Sequence, residues 1–190
     1  ALRNPNWRMG AKITTDSATM MNKGFEVMET QHLFGLEAGQ VEVVVHREGI
    51  VHSMVEFCDG ATVAQLSPPD MGLAIQYALD WPSRNPAERE ALDLVKAQSL
   101  TFFAPDEAAF PALSLCRRAM ALGGNAGAVV NGANEAAVAL FLNGALPFTQ
   151  ITALAAQALE AVPHKPSPTF EEIFEADALA REAVEKMCLV

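Results

Sequence analysis

The carboxy-terminal part of the chain is rich in alanine and other small apolar residues, and helix-stopping signals divide it. Gly123-Gly124 closes one apolar stretch, and Asn143-Gly144 closes the next. The predicted elements are helices over residues 111–122, 126–142 and 150–161 with Asn125 and Thr149 as caps, a Thr169–Glu172 capping box, and a last helix capped by Asp177. Short connections between such helices favour an antiparallel bundle, so we expect residues 106–190 to form a helical domain.

Residues 1–105 show a different pattern, in which short β-branched stretches alternate with helical periodicity. Met21, Phe25 and Met28 recur at helical spacing and predict a helix over residues 20–34. The other predicted elements are strands at residues 12–15, 41–46, 50–57 and 61–66 and a helix at 71–81 capped by Asp70. The predicted fold class is α+β: a mixed, largely antiparallel sheet with helices and a connecting arm, followed by the α-helical bundle.

The chain is acidic, with 23 acidic and 13 basic residues and a formal net charge of −10. Such a chain repels nucleic-acid backbones, and no Lys/Arg-rich stripe offsets this, so we expect no nucleic-acid partner. Four bases nevertheless lie in the first 23 residues, against Asp16 alone: Arg3, Arg8, Lys12 and Lys23. They form either a local pocket for a small anion or a solvated basic surface.

Cysteine usage indicates a reducing compartment. Cys58, Cys116 and Cys188 are widely spaced and lack a CxxC pair, which is typical of free thiols. No apolar run reaches the roughly 18 residues of a membrane span, and the start of the chain lacks a signal-peptide pattern. We therefore predict a cytoplasmic protein with no membrane partner. Because the chain begins at Ala1 and enters motif-like sequence at once, we also expect it to be part of a longer protein.

The densest polar cluster spans residues 10–26. Ser17, Asn22 and Lys23 lie near the expected start of a helix, where unpaired N–H groups and the positive end of the helix dipole favour a phosphate. Glu26 follows Asn22 by four residues on the same face. A carboxylate beside a phosphate requires a cation between them, and Mg²⁺ or Mn²⁺ suits oxygen ligands. The same residues are also compatible with an ordinary capped helix whose polar edge faces solvent.

Other polar residues carry weaker signals. Trp7 flanks a polar segment and is either a mobile aromatic lid or a core anchor. Asn131, Asn134 and Glu135 lie inside an otherwise apolar helix and must find hydrogen-bond partners if they are buried. We interpret these three residues as a structural polar network rather than a second site. His52 alternates with apolar residues on a predicted strand and is interpreted as a structural histidine.

The polar cluster belongs to a longer motif that resembles the signature of the 1-deoxy-D-xylulose 5-phosphate reductoisomerase family: Asn-Pro-Asn-Trp-Arg-Met-Gly-Ala-Lys-Ile-Thr-Thr-Asp-Ser-Ala-Thr-Met-Met-Asn-Lys-Gly-Phe-Glu at 4–26. Three further stretches look like the same family: Val-His-Ser-Met-Val at 51–55, Ala-Gln-Leu-Ser-Pro-Pro-Asp-Met at 64–71 and Asn-Gly-Ala-Asn-Glu at 131–135. The resemblance implies that residues 1–105 are a portion of a catalytic domain with a connecting arm, and that residues 106–190 are the C-terminal helical bundle.

The resemblance also implies a role for each candidate residue in an NADPH- and metal-dependent enzyme of the non-mevalonate isoprenoid pathway. Ser17, Asn22 and Lys23 would hold the phosphate of 1-deoxy-D-xylulose 5-phosphate. Glu26 would bind Mn²⁺ or Mg²⁺ and touch the substrate, which makes Glu26 and Lys23 the expected catalytic residues. Gly10 would lie against the nicotinamide of NADPH, whose hydride completes the formation of 2-C-methyl-D-erythritol 4-phosphate. Further substrate contacts would come from Asn4, from Trp7 on a closing flap, and from Met71.

Two departures from the family pattern bear on activity. The family places an NADPH-binding Rossmann domain and further acidic metal ligands ahead of the matched region, so we expect little or no turnover from this chain alone. The family motif begins with histidine where this chain has Asn4, and an amide does not titrate near neutrality. The alternative function is a non-catalytic dimerisation or scaffold module derived from the family. In either case the sheet edge at residues 41–66 predicts a homodimer.

Overall fold

A computed structural model of the chain describes residues 2, 9–37, 39–86 and 88–189. In chain order its elements are α1 (Ala11–Thr19), α2 (Met21–Phe34), β1 (Val51–Glu56), β2 (Thr62–Leu66), α3 (Met71–Asp80), α4 (Leu94–Ala97), α5 (Ala112–Leu122), α6 (Ala126–Leu142), α7 (Ile151–Ala161) and α8 (Phe170–Cys188). The chain forms two compact units. The helical unit combines residues 9–43 with 105–189, and the hairpin unit comprises the described residues from 44 to 104.

The core of the helical unit is organised around α6, which packs against α7 and α8. Val129, Val130 and Ala133 of α6 are buried in this core. Small residues let the helices approach closely, since a Cβ atom at Gly132 would lie 2.5 Å from Oδ1 of Asp177 on α8. The alanine-rich composition therefore produces a bundle with short distances between its helix axes.

The predicted helices over residues 111–122, 126–142 and 150–161 are confirmed, but two of the predicted caps are wrong. Asn125 is the N-cap residue of α6 as predicted, but its side chain makes no cap hydrogen bond and bridges to the loop before α8, donating to the Pro163 carbonyl and accepting from the Lys165 N–H, each at 3.0 Å. Thr149 does not cap α7, which begins after Gln150 without a side-chain cap. The capping box of Thr169 is confirmed. Asp177 lies inside α8, which runs unbroken from Phe170 to Cys188.

The strand predicted at residues 12–15 is also wrong, because these residues belong to α1. The hydroxyl of Thr14 donates to the Gly10 carbonyl and that of Thr15 to the Ala11 carbonyl, each at 2.9 Å. Both threonines are buried. Their hydroxyls are therefore satisfied by the preceding turn of the helix, and tertiary packing outweighs the β-propensity of the stretch.

The hairpin unit is built on the antiparallel pair β1 and β2, in which Met54 lies opposite Ala64. The predicted strand at 41–46 is wrong: in that stretch Val45 alone pairs, through an isolated bridge to Phe103 with N···O distances of 2.8 and 2.9 Å. Asp70 caps α3 as predicted, accepting from the Gly72 N–H at 2.8 Å. The unit thus carries a two-stranded sheet rather than the predicted meander of three.

The α+β fold class is confirmed by these elements. The division at residue 105 between a catalytic portion and a helical bundle stays a prediction, because compactness alone does not say which residues belong to a catalytic domain. Within the described part of the chain, no helix combines the length and the apolar character that crossing a membrane requires.

Candidate functional site at the corner between α1 and α2

The candidate site lies where α1 meets α2. Met20 alone separates the two helices, and it adopts a left-handed conformation with φ 66° and ψ 9°. For a residue with a side chain this conformation costs about 1–2 kcal/mol, so surrounding contacts must hold it. Thr19 provides two of them, because its hydroxyl donates to the Asp16 carbonyl at 3.1 Å and accepts from the Met21 N–H at 3.3 Å. The corner sets the direction in which α2 begins.

Three of the predicted site residues touch one another in the first turns of α2. Nδ2 of Asn22 donates to Oε1 of Glu26 at 2.6 Å, and the Lys23 ammonium forms an ion pair with Oε2 of Glu26. The side chains of Lys23 and Glu26 are 43% and 45% exposed, so a ligand can reach both. The predicted placement of Asn22 and Glu26 on one helix face is confirmed.

Ser17 lies within α1, and the predicted strand-to-helix junction at this residue is therefore wrong. Its half-buried hydroxyl donates to the Ile13 carbonyl at 2.8 Å. A serine hydroxyl has one proton to donate, so Ser17 can donate to an anion only after releasing this backbone acceptor. The expected helix start beside Asn22 and Lys23 is confirmed, since α2 begins at Met21.

An open cleft of about 830 Å³ lies beside this cluster. The face contributed by α2 is mixed, with Phe25 and Met28 next to Asn22 and Glu26. A volume of this size is typical of small-molecule sites, which combine apolar walls with a few polar groups. Asn22 and Glu26 therefore border a space that can receive a small molecule, whereas Lys23 does not line it.

A second set of polar side chains links α1 to α6 and α8. Asp16 is 2% exposed, and its Oδ1 accepts from Nδ2 of the fully buried Asn134 at 2.8 Å. Lys12 pairs with Oδ2 of Asp16 at 3.0 Å and lies 3.7 Å from Glu135. Glu135 accepts in turn from Arg181 at 2.6 Å. The predicted polar network is confirmed for Asn134 and Glu135, whereas Asn131, its third predicted member, lines the cleft instead.

Arg181 anchors the far end of this network. Its Nε donates to Oδ2 of Asp177 at 2.7 Å, one turn earlier on α8. The hydrogen bonds to Asp177 and then to Glu135 hold the pKa of Arg181 above its ordinary range. Sequence reasoning missed Lys12 and Asp16 as members of the network. Their spacing of four residues is the one local signal that pairs them.

Glu26, the predicted metal ligand, already has a partner for each oxygen of its carboxylate, Asn22 for one and Lys23 for the other. Over residues 9–37, 39–86 and 88–189, no three His, Cys, Asp or Glu side chains gather as a metal site would require. Mg²⁺ takes about six oxygen ligands, so the described residues alone do not make its site.

The remaining predicted site residues fall elsewhere. Gly10 is the exposed N-cap of α1, and a Cβ atom there would meet no atom of the described residues within 4 Å. Met71 begins α3 in the hairpin unit and is 59% exposed. Asn4 and Trp7 lie outside the described residues. His52, interpreted as structural, contacts the Ser67 carbonyl through Nε2 at 3.1 Å.

Comparison with known proteins places these residues in a family. The family model for the DXP reductoisomerase C-terminal domain matches residues 66–183, and that for the 1-deoxy-D-xylulose 5-phosphate reductoisomerase C-terminal domain matches residues 1–34. The chain therefore belongs to the 1-deoxy-D-xylulose 5-phosphate reductoisomerase family, of which it carries C-terminal domain sequence. The recognition made from residues 4–26 is confirmed.

Relatives of the same name agree with this assignment. The reductoisomerase of Pelotomaculum thermopropionicum is 52% identical over 181 residues, which cover 95% of this chain and 47% of that protein. The reductoisomerase of Symbiobacterium thermophilum is 50% identical over 183 residues, covering 96% and 47%. The chain thus spans about half the length of the relatives it matches.

Solved structures show the same fold. The structure of 1-deoxy-D-xylulose 5-phosphate reductoisomerase from Zymomonas mobilis in complex with NADPH has a TM-score of 0.88 at 40% identity, covering 94% of this chain and 47% of that one. A structure of DOX-P reductoisomerase in complex with NADPH, fosmidomycin and magnesium has a TM-score of 0.93 at 39% identity, covering 99% and 48%. These solved proteins thus bind NADPH, and the second also binds fosmidomycin and magnesium.

Proposed function

We propose that this chain supplies the phosphate-binding part of an enzyme that converts 1-deoxy-D-xylulose 5-phosphate to 2-C-methyl-D-erythritol 4-phosphate with NADPH and Mn²⁺ or Mg²⁺. The observation that supports this most directly is the contact of Asn22, Lys23 and Glu26 at the start of α2. These residues lie in the stretch that matches the family model. An ammonium and an amide at a helix start suit a phosphate group.

Phosphate binding would exchange the partners within this cluster. In this structure the Glu26 carboxylate accepts hydrogen bonds from the Asn22 amide and the Lys23 ammonium. A phosphate dianion is the stronger competitor for a lysine ammonium, because it offers more charge and three acceptor oxygens. Lys23 and Asn22 would then turn to the phosphate, with Ser17 as a further donor once its hydroxyl leaves the Ile13 carbonyl.

The same exchange would free the Glu26 carboxylate. It could then serve as one ligand of a divalent cation, with the remaining ligands supplied from outside the described residues. A bound divalent cation would polarise oxygen atoms of the substrate. Because Glu26 and Lys23 are the groups that change partners, we assign the catalytic contacts of this chain to them.

The other candidate residues complete the proposed site. Gly10 would present its backbone to NADPH, because no atom of the described residues occupies the space beside its Cα atom. Met71 would be a further substrate contact, as the family resemblance implies. Asn4 would contact the substrate, and Trp7 would lie on a segment that closes over it. Closure of such a segment excludes water from the reacting groups.

We also infer that the protein is a cytoplasmic homodimer. Its three cysteines, Cys58, Cys116 and Cys188, are free, which suits a reducing compartment. Apolar side chains on β1 and β2 face solvent, Val55 at 58% and Val63 at 60% exposed. Pairing with a second copy would cover them. Analytical ultracentrifugation of the chain tests this: a dimer is expected, and a concentration-independent monomer contradicts it.

A chimeric enzyme tests the proposed activity. It joins the part of the Pelotomaculum thermopropionicum reductoisomerase that precedes the matched region to this chain. With 1-deoxy-D-xylulose 5-phosphate and Mn²⁺, we expect the chimera to oxidise NADPH, and we expect the 190-residue chain alone to show little or no oxidation.

The Asn4→His chimera is the companion variant. Turnover by either chimera that stops when the metal is chelated supports the proposal. If both chimeras are folded by circular dichroism and both are inactive, while the Pelotomaculum enzyme is active in the same assay, the non-catalytic scaffold function is the better account.

A further inference from the structure

We propose that Asn134 is a positioning residue: through Asp16 it holds α1, and with it the corner that carries the phosphate-binding residues, against the helical bundle. The part of this inference that concerns phosphate rests on the proposed function. Asn134 lies on α6 and Asp16 on α1, so their contact joins residues that are 118 positions apart in the chain.

The Asp16–Asn134 contact is buried on both sides. Asp16 is 2% and Asn134 is 0% exposed, and Nδ2 of the amide lies 2.8 Å from Oδ1 of the carboxylate. A buried carboxylate must be compensated by donors or cations, and removal of one leaves a costly charge. Asp16 has two such partners among the described residues, Asn134 and Lys12. The buried carboxylate therefore favours the arrangement in which α1 lies beside α6, within reach of Asn134.

Asn134 contributes one hydrogen bond to this arrangement and no more. Its Oδ1 atom is buried and has no hydrogen-bond partner among the described residues. An amide in a core normally satisfies both ends, so a residue serving packing alone would be better replaced by leucine of similar size. Within the described residues, the contact with Asp16 is thus the one hydrogen bond of this amide.

A second, more exposed link runs beside the first. Lys12 joins Asp16 to Glu135, and Arg181 joins Glu135 to Asp177 of α8. The side chains of Glu135 and Arg181 are each 37% exposed, so solvent screens this link. Of these two polar links, the buried Asn134 contact is therefore the one that solvent screens less.

The position of α1 matters because of what it carries. Ser17 follows Asp16 directly, and Thr19 uses the Asp16 carbonyl to hold the left-handed Met20. That residue in turn sets where α2 starts and where Asn22 and Lys23 point. A shift of Asp16 would therefore move Ser17 and disturb the corner from which α2 begins, although α2 is also packed against α5.

The test uses Asn134→Leu in the 190-residue chain, with inorganic phosphate as the probe. Amide chemical shifts of Ser17, Asn22 and Lys23 report binding. We expect Asn134→Leu to weaken phosphate affinity by at least about fivefold, because Asp16 loses its buried hydrogen bond and the corner beside it is less often in the binding arrangement. Affinity equal to that of the wild-type chain overturns the proposal.

A swap variant separates positioning from simple loss of stability. Asp16→Asn combined with Asn134→Asp keeps one carboxylate and one amide across the same contact, and Lys12 already lies beside α6 at Glu135. We expect the swap to recover affinity to within about twofold of the wild-type value. Ile151→Val is the matched control, a core change on α7 that leaves the Asp16 contact intact. A loss of phosphate affinity in the control equal to that in Asn134→Leu overturns the proposal.

Hydrogen exchange provides a readout that does not depend on phosphate. Asn134→Leu should speed amide exchange in α1 while leaving α7 protected, because only α1 loses its anchor. Unchanged protection of α1 overturns the proposal. If the wild-type chain binds no phosphate, the proposed function fails at that site, and exchange alone decides whether Asn134 holds α1. Should Asn134→Leu not fold, Asn134→Ser takes its place, since its shorter side chain cannot reach Asp16.

Discussion

Gly24 of α2 lies directly against Cys116 of α5: a Cβ atom at position 24 would be 2.5 Å from Sγ and 2.9 Å from Cβ of Cys116. Cys116 is fully buried, and this burial raises the pKa of its thiol to about 12. Met21 contacts the same sulfur, with Sγ and Sδ 3.6 Å apart. The helix turn that carries Lys23 is thus seated on α5 by a glycine and a small thiol.

Gly24→Ala should therefore destabilise the chain. The added methyl group overlaps Cys116, and overpacking of this kind costs about 1–3 kcal/mol, which exceeds the roughly 1 kcal/mol that alanine gains over glycine in a helix. Urea denaturation measures the free energy of unfolding. Gly10→Ala is the matched control, because its methyl group meets nothing within 4 Å. Equal stability of the two variants contradicts the close packing at Gly24.

Lys23→Ala should weaken phosphate binding by roughly 10- to 100-fold, because one charge-assisted hydrogen bond to the ligand is lost. The control is Lys186→Ala, which removes the same charge from another lysine–glutamate pair, at 2.5 Å on α8. Isothermal titration with inorganic phosphate compares the two variants. If both weaken binding equally, general charge is responsible and Lys23 is not a ligand of the phosphate.

Helix positions in the bundle were predictable because their signals are local. Gly123-Gly124, Asn143-Gly144 and the Thr169–Glu172 box lie within a few residues of the ends they mark. The strand prediction at 12–15 was wrong because the conformation of this stretch depends on contacts that are distant in sequence. The threonine hydroxyls there are satisfied by a helical turn, and burial of that turn depends on residues far along the chain.

The part of the candidate site that depends on local spacing was also predictable from the sequence. Asn22, Lys23 and Glu26 fall within one helical turn, so their spacing alone brings them together. The contact of Asp16 with Asn134 spans 118 positions and has no local pattern. The left-handed conformation at Met20 likewise has no sequence signal, because the usual signal for it is a glycine. Contacts between residues that are distant in sequence, such as that between Asp16 and Asn134, were therefore not predictable from the sequence.

Gly10→Ala also tests the proposed cofactor contact. The backbone at Gly10, with φ −63° and ψ 160°, is accessible to alanine, and the methyl group meets no atom of the described residues. Because Gly10 is the N-cap of α1, alanine there costs about 1 kcal/mol of stability. We expect the KM for NADPH of the chimeric enzyme to rise by roughly tenfold, which a loss of stability of that size in a folded enzyme does not explain. An unchanged KM for NADPH would remove Gly10 from the cofactor site.

The N-terminus of α8 should make the stability of the chain pH-dependent. The Thr169 N–H donates to the Glu172 carboxylate at 2.8 Å, and Lys165 approaches it at 3.1 Å. The backbone hydrogen bond first, and Lys165 second, lower the pKa of Glu172 from its ordinary value of 4.5. A carboxyl whose folded pKa is lowered stabilises the fold fully above its unfolded pKa. This contribution is lost as the pH falls through the lower, folded value.

Glu172→Gln should remove this part of the acid sensitivity, because glutamine can still accept the Thr169 hydrogen bond but does not titrate. We expect the free energy of unfolding of the variant to fall less steeply than that of the wild-type chain when the pH drops from about 7 to about 3. Glu171→Gln, at the neighbouring first-turn carboxylate outside the capping box, is the control. Urea denaturation at each pH provides the measurement. If Glu171→Gln reduces the loss of unfolding free energy at acid pH as much as Glu172→Gln does, overall charge accounts for the pH dependence and the capping box does not.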